Sequence, residues 1–119
     1  MIAEERRSGP EGTPLVVALG CDDEVVVSGF VQAQAWHEDG GERDLYYAVY
    51  RNENMLTQGI QECKFVNGRL EHRIPFGLID LPDNFSNVYH LVWRLEDPLG
   101  GPAYTGMPQF DCRLRARPL

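Results

Sequence analysis

From Asn87 to Glu96 the chain reads NVYHLVWRLE, apolar at every second position. Successive residues of a strand point to opposite faces, so Tyr89, Leu91, Trp93 and Leu95 line one side, and Val88, His90, Val92, Arg94 and Glu96 the other. Such a strand is stable only when its apolar side is sealed against a second layer. The same period recurs in Glu24–Trp36, where Val25, Val27, Gly29, Val31, Ala33 and Ala35 form the cleaner core face and Val26, Ser28, Phe30, Gln32, Gln34 and Trp36 the other. It returns in Leu45–Arg51, with Leu45, Tyr47 and Val49 inward, and in Gln109–Ala116, with Phe110, Cys112, Leu114 and Ala116 inward. No long stretch keeps a helical 3.6-residue period.

Turn signals divide these runs. Pro14–Leu19 is a first strand closed by Gly20, His37–Asp44 is a polar loop with a Gly-Gly centre, and Asn52-Glu53-Asn54 is a turn. Met55–Gly59 and Ile60–Val66 form one or two weaker strands. Asn67-Gly68 is the sharpest local signal, because a type I′ turn needs positive φ at both central residues; it predicts a hairpin joining Ile60–Val66 to Arg69–Phe76. Gly77–Ser86 reads as a crossing loop with a helical turn at Leu78–Leu81, and Asp97–Pro108 as a long loop. Met1–Thr13 is charged and holds Gly9, Pro10 and Gly12, which predicts a flexible tail ahead of a single sandwich domain over 14–119. The fold class expected is all-β, an immunoglobulin-like antiparallel β-sandwich of about seven or eight strands.

The 119 residues suffice for one core. A formal net charge of −7 disfavours phosphate backbones and anionic membrane as partners, with Arg113, Arg115 and Arg117 a local exception. There is no apolar leader and no run long enough to span a bilayer, so a soluble cytoplasmic protein is expected. The three cysteines, Cys21, Cys63 and Cys112, lack C-x-x-C spacing and read as small, partly buried thiols of a reducing compartment.

In the run RLEHRIPFGLIDLPDNFSNVYHLVWRL, His72 stands near a strand end, followed by Pro75-Phe76, Leu81-Pro82 and a strand led by Tyr89. This segment, about a quarter of the chain, resembles the hairpin-and-crossing segment of arrestin-like sandwich domains. The resemblance implies an immunoglobulin-like sandwich with a protein-binding use.

No G-x-S-x-G, H-E-x-x-H or phosphate-binding glycine loop is present, so no enzyme and no cofactor are expected. Cys112, His72, His90 and Met107 lack the compact copper-loop spacing, and no ligand pair has zinc spacing. Loop carboxylates Glu38, Asp39, Glu42 and Asp44, with Glu96 and Asp97, should collect at one end of a sandwich, where calcium could use their oxygens. Phe30, Trp36, Tyr46 and Tyr50 face away from the predicted core, and their spacing suggests one outer aromatic face of adjacent strands. The function expected is a non-enzymatic interaction module that binds a protein partner, or a second copy as a homo-oligomer, through that face and an edge strand. The alternatives are a carbohydrate-binding module using the same rings beside Gln32 and Gln34, and a calcium-stabilised extracellular domain.

Overall fold

A computed structural model describes residues 1–37, 41–96 and 108–119. Among these the regular structure is all strand: β1 (Ala3–Gly9), β2 (Leu15–Gly20), β3 (Val25–Trp36), β4 (Glu42–Arg51), β5 (Asn54–Lys64), β6 (Arg69–Asp80), β7 (Ser86–Glu96) and β8 (Gln109–Pro118). They form two four-stranded antiparallel sheets packed as a β-sandwich, in the orders β1-β8-β3-β6 (sheet 1) and β2-β7-β4-β5 (sheet 2).

The order has a simple rule. First pairs with last, second with seventh, third with sixth and fourth with fifth. The chain is thus one long hairpin, tipped at Asn52-Glu53 and rolled so that its rungs alternate between layers, the winding of an eight-stranded jelly roll. Counted from β2, it shares with immunoglobulin sandwiches the pairing of second strand with fifth (β3·β6) and third with sixth (β4·β7), whereas its terminal strands sit in the opposite layers.

Alternation decides what lies between the sheets. Val25, Val27, Val31, Ala33 and Ala35 of β3 are fully buried, as are Cys112, Leu114 and Ala116 of β8. From sheet 2 come Leu15, Leu45, Val49, Tyr89 and Leu91, also fully buried, with Tyr47 and Trp93 nearly so. The β3 contribution is small and the β7 contribution large, so the layers interlock. Gly29 extends this economy: a Cβ there would lie 1.9 Å from the Arg113 carbonyl oxygen and 2.9 Å from the Phe76 ring. The register runs through Gly29 unbroken, so its role is close approach and not a bulge.

Three sequence expectations change, and one left open is resolved. Met1–Thr13 is not simply a tail: β1 pairs with β8 from Ala3↔Ala116 to Gly9↔Phe110. Side chains reinforce that ladder, with Arg6 on Asp111 at 2.9 Å, Glu4 on Arg113, and the Val16 amide donating to Glu5 at 3.0 Å. The composition of a tail here conceals charges that have partners far along the chain. The Asn67-Gly68 turn forms, with φ of 54° and 76°, but closes only the Val66↔Arg69 bridge. Beyond it β5 joins β4 and β6 joins β3, so the turn hands the chain from sheet 2 to sheet 1. Of the one or two strands expected over Met55–Val66, one forms, β5, which ends at Lys64. Finally, β6 continues through Leu78 to Asp80 without a helical turn, because the β3 ladder extends to Val25↔Asp80.

That extension places a buried ionic clamp at one end of the sandwich. Asp80, from sheet 1, accepts a hydrogen bond from Arg51 at 2.6 Å and from the Tyr89 hydroxyl at 2.8 Å, both from sheet 2. The Arg51 and Asp80 side chains are 12% and 5% exposed. Burial, followed by the Asp80 contact, drives the Tyr89 phenol well above its ordinary value, so it remains a donor. Removing one member strands a buried charge. Asp80→Ala should therefore lower the unfolding free energy by about 3–5 kcal/mol, against about 1.5–3 for Tyr89→Phe, in urea denaturation.

Candidate functional site

With both inner faces committed to the core, any site among the described residues lies on an outer face, an edge or a strand end. The two outer faces are chemically unlike, and the four candidate aromatics divide between them. Phe30 and Trp36 project from β3 on sheet 1, whereas Tyr46 and Tyr50 project from β4 on sheet 2. The single aromatic face expected from the sequence does not exist. Consecutive β3 and β4 are not neighbours, because β3 is already bonded on both sides, to β8 and β6.

The rings are also covered in part. Arg73 lies 4.0 Å from the Phe30 centroid and Arg6 5.4 Å from it. Arg94 lies 4.2 Å from the Tyr46 centroid. Stacking a sugar needs bare ring faces, and these two carry guanidinium groups instead. Gln32, proposed as a sugar-binding neighbour, is occupied by Arg73 at 2.6 Å. Trp36, at the end of β3, is 36% exposed and stands beside Arg69. Tyr50 is half-buried between His90 and Met55, next to the bulge at Val49/Tyr50.

On sheet 2 the middle of the outward face is rich in apolar side chains. Tyr46, Ala48 and Tyr50 of β4 lie between Arg94, Val92 and His90 of β7 and Ile60, Gln58 and Met55 of β5. Val16 and Ala18 of β2 extend the surface past His90 and Val88. Ile60 is 69% exposed, and Val16 and Met55 are each 46% exposed. A strand with one face dry ordinarily turns polar residues outward, so this face departs from the pattern. Among the described residues the outer edge of β5 has no strand beside it.

One end of this sheet is acidic. Asp44 is directly opposite both Glu62 and Glu96. The start of β4 and the end of β7 lie side by side, but Glu38, Asp39 and Asp97 of the expected acidic cluster lie outside the described residues. Glu42 is engaged by Lys64 at 3.7 Å, and Glu96 by Arg94. Among the described residues no three His, Cys, Asp or Glu side chains converge as a metal site. The cysteines are all free thiols, and burial pushes Cys112 up to about 12 and Cys63 upward, which removes both as nucleophiles near neutral pH. No described helix is long and apolar enough to cross a membrane.

The outer face of sheet 1 was largely missed by sequence reasoning. Parity places Arg6, Arg69, Arg73, Arg113, Arg115 and Arg117 there, against Glu4, Glu71 and Asp111. At its centre Asp111 accepts from Arg6 at 2.9 Å and from Ser8 at 3.1 Å, with Arg73 at 3.9 Å. The signal was present in the alternation of RLRAR, but the arginines of β1 and β6 join it only through strand pairing.

The Arg6 hydrogen bond, with help from Ser8 and Arg73, holds the Asp111 carboxyl below its ordinary value of 3.8, against the opposing effect of burial. A depressed carboxyl contributes stability that is complete above its unfolded-state value and lost as pH falls through the folded one. The stability gap between the native chain and Asp111→Asn should therefore be open at neutral pH and close below about pH 4, measured by urea denaturation across pH. A gap that stayed constant with pH would remove the assignment.

No protein-family model and no curated protein sequence matches this chain, so the two faces stand on their own geometry.

Proposed function

We propose that this chain is a non-catalytic protein-interaction module, and that the outer face of sheet 2 is where its partner docks. One observation carries the proposal: the outward side of β2, β7, β4 and β5 presents Val16, Val88, Val92, Met55 and Ile60 around Tyr46 and Tyr50, where solvent-facing strand positions are ordinarily polar. Tyrosines set among aliphatic groups suit an interface, because each ring supplies contact area and a polar tip. The free edge of β5 adds unpaired backbone groups to which a partner strand can bond. The resemblance of Arg69–Leu95 to arrestin-like domains points toward the same class of function, and the two central pairings shared with immunoglobulin sandwiches fit it. The split of the four rings between opposite faces weighs against a sugar platform.

Site-specific photocrosslinking in the cells that make the protein tests this directly. A benzophenone side chain replacing Ile60 or Val16 should yield discrete protein adducts, and one replacing Asp22, in the turn between β2 and β3, should not. An adduct of twice the chain mass identifies the partner as a second copy; any other discrete mass identifies a different protein. Absence of discrete adducts from both positions, or equal adducts from Asp22, would overturn the assignment.

A further inference from the structure

The six arginines on the outer face of sheet 1, opposed by three acids, give that face a surplus of three positive charges on a chain of net charge −7. Most of these arginines have partners: Arg6 uses Asp111, Arg113 uses Glu4, Arg69 uses Glu71 and Arg73 uses Gln32. Arg115 and Arg117 differ. Glu4 is the register partner of Arg115, but its carboxylate goes to Arg113. The Arg115 Nε is buried and lacks an acceptor, while Arg117 is exposed and bonds only its neighbour's carbonyl, Pro118 O at 3.5 Å.

The surface around Arg115 has a shape. Its row across the sheet continues through Ser28 to Gly77, where a Cβ would meet nothing within 4 Å. One adjacent row carries Phe30 and Pro75, and the other carries Val26 and the 62%-exposed Ile79. Beside Arg115, then, the outer face carries only the small residues Ser28 and Gly77, which leaves its guanidinium with no bulky neighbour along that row.

We infer that the outer face of β8 binds an extended acidic segment of a protein partner lying along the strand, with one carboxylate on Arg115 and the carboxylate two residues along on Arg117. The repeats agree: alternate residues on β8 are about 6.6–6.8 Å apart, the same spacing as alternate side chains of an extended peptide. Guanidinium groups take carboxylates in paired hydrogen bonds, and neither Arg115 nor Arg117 is engaged by a carboxylate of the chain itself among the described residues. The chain's negative charge opposes long polyanions. It opposes a short segment less, because the acidic end of sheet 2 is on the other side of a body whose shorter extents are 22 and 19 Å, beyond the roughly 8–10 Å reach of an unscreened charge at physiological salt. This face is separate from the sheet 2 surface, and the two proposals stand or fall independently.

Fluorescence anisotropy with a labelled dodecapeptide alternating glutamate and threonine supplies the test. Saturable binding is expected, weakening about tenfold between about 50 and 200 mM salt and about tenfold or more in Arg115→Glu/Arg117→Glu. A peptide of equal composition with its glutamates in one block should bind several-fold less tightly. Arg117→Glu alone touches only an exposed side chain, so its loss of affinity separates binding from folding, which circular dichroism checks. The inference is overturned if the alternating peptide fails to bind, if both arginine variants retain full affinity, or if an oligothymidine or phosphatidylserine vesicles bind more tightly than the peptide.

Discussion

The sandwich depends on a size match between its layers. The inner side of β3 carries nothing larger than valine, while the opposite layer supplies the large inward side chains Tyr47, Tyr89, Leu91 and Trp93. Interiors pack to crystal-like density, so a small surface can be sealed only by a large one. β3 can be this spare because it is held on both sides, by β8 and β6, and needs no bulky side chain to fix its place. Gly29 takes the same logic to its limit, with the Arg113 carbonyl occupying the space of a side chain.

Once both inner faces are spent in this way, function is left to what points outward, and the rolled hairpin determines what that is. Winding places β1, β8, β3 and β6 together, which collects arginines from three distant parts of the chain on one surface. The same winding places β2, β7, β4 and β5 together, and gathers valines, tyrosines, Met55 and Ile60 on their outward side beside an acidic end at Asp44, Glu62 and Glu96. Two surfaces of different chemistry are thus set on opposite sides of one core. The Arg51–Asp80–Tyr89 clamp joins the layers at one end and keeps the faces in a fixed relation.

Much of the fold was legible because period-two burial is a local property. Strand identity, the inward sets of β3, β4, β7 and β8, and the Asn67-Gly68 turn all follow from neighbouring residues. Pairing is not local. Nothing near Arg6 announces Asp111, so β1 passed for a tail, and nothing near Leu78 announces Val27, so the second half of β6 passed for a loop. The site suffered from the same blindness. Phe30 and Tyr46 read as neighbours because their strands are consecutive, yet they ended on opposite surfaces, while the arginine surface exists only after four strands are aligned.

Residue-resolved amide hydrogen exchange tests the central claim most directly, since it reports which strands the core holds from both sides. The account predicts that β3, β8, β7 and β4 share the slowest exchange, with outward-bonded amides of β5 and β6 among the fastest of the strands. It would be contradicted if β3 amides exchanged as readily as those of β6, because no strand of small residues could then be what the two layers close upon.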